Sequence, residues 1–124
     1  MNRHHVVLFL ERGKDFAARA QATDPTRLAW IGVYPLDPSD SDTATFLRNH
    51  GIALLPTSPR PLCRVRFFEV DRDLIERDTW LSEEQLMNKR DFFAFGIDEL
   101  ERILNSLGID LEELERPFKS DYPM

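Results

Sequence analysis

At 124 residues, 42% of them hydrophobic, the chain has material for one compact core, and two separate domains would each be too small to bury an adequate one. That apolar content is patterned strongly enough to exclude disorder of the whole. The net charge of −6 is lopsided: residues 1–62 carry seven Lys or Arg and six Asp or Glu, whereas residues 63–124 carry nine and sixteen, a net −7 that argues against direct nucleic-acid binding.

His4 to Leu10 is predicted as a strand, a short apolar run ended by the turn signal Glu11-Arg12-Gly13. Val6 to Leu10 is the longest apolar run, far below the roughly 20 residues that cross a bilayer. The apolar stretch after Arg3 is also too short for a secretory leader, so neither a membrane nor export is expected. Asp15 is placed to cap a short helix through Ala22, with Phe16, Ala17 and Ala20 on one face. Leu28 to Tyr34 reads as a strand, since Trp30, Ile31, Val33 and Tyr34 suit pleated packing, and Pro35 closes it.

A polar loop from Pro35 to Asp42 leads to a predicted helix from about Asp42 to Asn49, with Gly51 near the left-handed position that ends helices. Ile52 to Leu55 is a short predicted strand, and the prolines between Pro56 and Pro61 bar any sheet interior there. Cys63 to Val70 is the clearest strand, with Cys63, Val65 and Phe67 alternating with Arg64, Arg66 and Phe68. Asp71 to Trp80 reads equally as strand or loop. Ser82 with Gln85 has capping-box spacing and Leu81 with Leu86 has staple spacing, which predicts a helix to about Arg90.

Phe92 to Phe95 is the last predicted strand. Asp98 with Glu101 then repeats the cap spacing, ahead of a stripe of Leu100, Ile103, Leu104 and Leu107. After Gly108, Asp110 with Glu113 does so again, with Ile109 and Leu114 as staple, and Pro117 stops the last helix. These elements imply a single α+β domain over residues 1–124, with a mixed sheet of about five strands and helices mainly on one face. A three-layer α/β arrangement, with a helix on each face, is the alternative.

Few residues suggest chemistry. His4 and His5, adjacent on a strand, would point to opposite faces and could not easily share an ion, so no metal is expected. Cys63 and His50 form the one conceivable nucleophile–base pair, yet a thiol at the start of a strand usually serves as a small core residue. The lone cysteine permits no intramolecular disulfide and suits a reducing, cytoplasmic compartment. No Gly-rich phosphate loop or nucleophile elbow is present, so neither a cofactor nor an enzyme is expected. The rings of Phe67, Phe68, Phe92, Phe93 and Phe95 suit core packing, although an outward Phe68 or Phe92 could anchor a partner.

The acidic cluster is the strongest functional pattern. Asp98, Glu99, Glu101, Asp110, Glu112, Glu113 and Glu115 lie against the single cation Arg102. Carboxylates in first helical turns are favoured by the positive helix end. That does not account for so few interleaved cations. Glu99, Glu101, Glu112, Glu113 and Glu115 are therefore the candidate partner-binding residues. Asp98 and Asp110 are assigned to helix caps, and Glu99, Glu112 and Glu115 have the least to do locally.

The C-terminal pattern resembles that of small acidic immunity proteins of bacterial contact-dependent growth inhibition systems. The shared features are an aromatic strand, Gly-Ile-Asp-Glu-Leu-Glu from Gly96, a second Gly-Ile-Asp start at Gly108, and Ser-Asp-Tyr-Pro from Ser120 to Pro123. The resemblance covers about a quarter of the chain. It implies a one-domain α/β protein of the cytoplasm that binds and occludes a cognate toxin domain, often a nuclease. A small regulatory or scaffolding module that binds another protein through the same acidic helices is the alternative function.

Overall fold

The computed structural model describes residues 2–53, 59–77, 81–117 and 122–123. Four strands form one antiparallel sheet in the order β1-β2-β3-β4: Phe16–Ala20, Arg27–Leu36, Leu62–Asp71 and Met87–Phe95. Helices α1 (Arg3–Glu11), α2 (Ser41–Asn49), α3 (Arg72–Glu76) and α4 (Ile97–Ser106) and the 3₁₀ turns Glu83–Gln85 and Leu111–Glu113 complete it. The α+β class holds, with a purely antiparallel sheet of four strands among the described residues where a mixed one of about five was expected.

The strand count changes for local reasons. His4 to Leu10 is helical, because Asn2 caps it by accepting from the His5 N–H at 2.9 Å, and Val6 and Leu10, one turn apart, are its buried residues. Phe16 to Ala20 is a strand, because pairing with β2 from Phe16 opposite Val33 to Ala20 opposite Ala29 overrides the helix preference of its alanines. Ile52 and Ala53 lie outside any strand, and the rest of that predicted strand, residues 54–55, falls outside the described residues. The helix expected from Ser82 is a single 3₁₀ turn. Its Ser82–Gln85 capping box forms, but Met87 onward is drawn into β4 by pairing with β3.

Strand alternation sorts the side chains into two cores. On one face Phe16, Ala18, Ile31, Val33, Val65 and Ala94 pack beneath α1, α4 and the Leu111–Glu113 turn, which contribute Val6, Leu10, Leu100, Leu104, Leu111 and Leu114. On the other, Leu28, Trp30, Phe68, Val70 and Leu86 form a smaller core with Leu74 and Ile75 of α3 against it. Helix α2 also lies on this second side, where Phe46 packs 5.9 Å from Phe93. Helices thus occupy both faces, as in the three-layer alternative, where a placement mainly on one face was expected. Phe68 is fully buried and Phe92 is packed against the larger core, so neither is an outward anchor.

Gly96 takes φ +91° as the N-cap of α4, a conformation glycine adopts without a Cβ clash. Its N–H still bonds the Pro61 carbonyl at 2.8 Å, so β4 passes into the helix with no intervening loop. Asp98 therefore sits inside the first turn and is not the cap expected. Asp110 does cap, in a capping box with Glu113, whose carboxylate accepts from the Asp110 N–H at 2.6 Å. The element it opens is one 3₁₀ turn, shorter than the helix expected. Asp110→Ala is expected to cost about 0.5–2 kcal/mol in chemical denaturation, and Asp98→Ala measurably less, since Asp98 caps nothing.

Candidate functional site

The acidic residues gather on the layer that covers the larger core. Helix α4 and the Leu111–Glu113 turn direct Leu100, Leu104, Leu111 and Leu114 inward, which leaves Asp98, Glu112, Glu113 and Glu115 exposed. The five candidate residues do lie on this one layer, but the structure gives them unequal duties.

Glu99 is half-buried and accepts from the Phe95 N–H at 3.3 Å, holding the junction between β4 and α4, with Arg102 3.7 Å from its other oxygen. It has a local task, contrary to the sequence reading. Glu101 accepts from Arg3 at 2.6 Å, and the same guanidinium reaches Asp98 at 2.7 Å. The hydrogen bonds that Arg3 donates to these two carboxylates, that to Asp98 foremost, raise the Arg3 pKa further. Glu113 completes the capping box. Glu112 and Glu115 keep exposed side chains, and Glu115 pairs through its backbone with Ala17 on the free edge of β1 (N···O 2.8 and 2.9 Å).

Arg3 is the functional neighbour that sequence reasoning missed. It is 95 positions from Asp98, and only the docking of α1 beside the C-terminal layer brings them together. A helical reading of residues 3–11 would have placed Arg3 at one end of an apolar stripe facing the core, next to whatever covered that core.

Cys63 and His50 do not come together. Cys63 is buried in the larger core, and burial pushes its thiol up to about 12, so it is not a thiolate near neutrality. His50 lies on α2 over the opposite face, with its ring 5.6 Å from Phe93 and its Nδ1 2.9 Å from the Phe46 carbonyl oxygen. The sheet stands between them, and they form no nucleophile–base pair. His4 and His5 are exposed on the first turn of α1, and among the described residues no three His, Cys, Asp or Glu side chains converge as a metal set. No helix among the described residues is long and apolar enough to cross a membrane.

Comparison with protein-family models, with curated proteins and with solved structures finds no match to this chain, so its candidate site rests on its own geometry.

Proposed function

We propose that this chain is a cytoplasmic immunity protein or antitoxin whose acidic layer docks and occludes a cognate basic toxin domain, such as a nuclease. The observation behind this reading is the net charge of that layer. Seven carboxylates from Asp98 to Glu115 share the layer with Arg3 and Arg102, which leaves a net −5. A field of one sign concentrated on one side speeds encounter with a partner of the opposite sign. The resemblance of the C-terminal segment to immunity proteins points the same way. Occlusion requires no catalytic residue, no cofactor and no contact with nucleic acid or membrane.

Co-expression with the product of the adjacent upstream gene tests the reading. That product alone should arrest growth, and this chain should restore it and co-purify with it. A housekeeping neighbour with no toxic effect would favour the regulatory or scaffolding module instead.

The interface is tested separately by Glu115→Lys. Its side chain is exposed, and the Ala17 pairing uses only the Glu115 backbone, so the melting temperature should barely move. Association with the basic partner should slow, most at low salt, where screening is weakest. Equal association rates for the variant and the wild type would place the interface elsewhere.

A further inference from the structure

On the sheet face away from the acidic layer, strand alternation brings Arg64 and Arg66 of β3 side by side beneath α2. Their cross-strand neighbours are Tyr34 and Gly32 on β2 and Phe93 and Asp91 on β4. An open groove of about 340 Å³ runs between α2 and the strands, with walls of Tyr34, Leu36 and Phe46, a floor of Arg64 and Arg66, and Asp42 on its rim. The Arg64 guanidinium lies over the Phe46 ring, 5.2 Å from its centre.

Both guanidiniums are held in place by carboxylates. Arg64 Nε donates to Asp91 at 3.0 Å, and Arg66 pairs with Glu83 through Nη2. Arg66 is 14% exposed, yet its Nε is buried and has no hydrogen-bond partner among the described residues. A guanidinium offers five donors, and a buried donor left unpaired is costly to a fold. Beside it, the Tyr34 and Tyr122 hydroxyls bond each other over Gly32. Burial raises the pKa of both, so the pair stays neutral and places no anion next to Arg66. Each guanidinium bonds its carboxylate through one nitrogen, which leaves further N–H groups suited to an oxyanion, and the aromatic walls suit a flat apolar body. The volume suits a small molecule.

We propose that this groove binds a small aromatic oxyanion, a planar ring bearing a carboxylate or phosphate, with the oxyanion on Arg64 and Arg66 and the ring against Phe46 and Tyr34. The site lies on the opposite side of the sheet from the acidic layer and is independent of the toxin-binding reading.

Amide chemical-shift titration of the full chain tests it, with benzoate and phenyl phosphate as probes and inorganic phosphate as the control without a ring. At least one aromatic probe should give saturable shifts at residues 34–36, 42–46 and 64–66, and inorganic phosphate should bind roughly tenfold more weakly or not at all. The stronger probe identifies the oxyanion. Arg64→Gln should weaken that binding roughly tenfold, and Asp42→Asn should tighten it by removing the rim's opposing charge. Phe46→Leu should lose the preference for the ring, and it keeps the test decisive if Arg64→Gln does not fold. The proposal is overturned by an absence of saturable shifts with both aromatic probes, by shifts centred outside the groove, or by equal affinity for inorganic phosphate.

Discussion

Trp30→Ala is expected to lower the unfolding free energy by about 3–5 kcal/mol, the largest single loss in the molecule. Trp30 is 1% exposed, stacks on Phe68 at 6.2 Å between ring centres and lies under the Arg19 guanidinium at 4.9 Å. Among the described residues its core contains only Leu28, Phe68, Val70 and Leu86 as further buried residues, too few to close over a cavity the size of an indole. A domain of this size has a net stability of about 5–15 kcal/mol, so the loss takes a large share of it. Urea denaturation followed by far-ultraviolet circular dichroism measures the loss. Trp30→Phe, which refills most of the space, should recover a large part of it. A loss under about 1 kcal/mol would mean that the smaller core adds little and that α3 is merely draped over the sheet.

The second large effect belongs to Glu69, the one fully buried carboxylate among the described residues. It accepts from the Thr23 N–H at 2.6 Å, from the Thr23 hydroxyl at 3.0 Å and from the Asn88 amide, tying the β1–β2 hairpin to the start of β4. Asn88 has φ +52°, a left-handed conformation that asparagine tolerates, and the carboxylate holds it at the irregularity between Phe67 and Glu69 in the β3–β4 pairing. Glu69→Leu removes the charged acceptor to which the exposed residues Thr23 and Asn88 donate and is expected to cost about 1.5–3 kcal/mol.

The same carboxylate links stability to pH. Burial acts to raise its pKa, but the hydrogen bonds from Asn88 and Thr23, with the nearby charge of Arg27, hold it below the usual carboxylate value. A folded-state pKa below the unfolded one means that the stabilisation is present above the unfolded value of about 4.3. It is lost as pH falls through the folded value. The stability difference between wild type and Glu69→Gln should therefore be widest near neutrality and narrow on acidification. A gap that stays constant down to about pH 3 would show that ionisation of Glu69 does not stabilise the fold.

Strands β2 and β3 and helix α2 were legible because their signals are strong and local: dense β-branched and aromatic residues, alternation, and a glycine that reaches φ +71° at position 51. The N-terminal third was not. Val6 to Leu10 is short and apolar enough to suit a strand or a buried helix, and what decides is which side of the sheet needs covering. Phe16 to Ala20 has helix-forming alanines, and its conformation is settled by β2, which lies further along the chain. The Ser82 and Asp110 boxes were read correctly as starts, but a cap does not fix how far a helix runs. The acidic residues were visible at once, whereas their division of labour was not. Glu99 and Glu113 have short-range tasks whose spacing is written in the sequence, while the grip of Arg3 on Asp98 and Glu101 exists only after folding.

The larger core takes its cover from both ends of the sequence, α1 at one and α4 with the Leu111–Glu113 turn at the other, and Glu115 pairs with Ala17 to seal the β1 edge. During synthesis the apolar face formed by Ile31, Val33 and Val65 exists as soon as β3 emerges, yet α1 is the one part of its lid already made. At ~5–20 residues per second, the wait for Leu114 is on the order of seconds. Contacts that span nearly the whole sequence also close late and slowly. The acidic layer therefore settles late, so a nascent chain stalled before α4 would be sticky and would lack that layer.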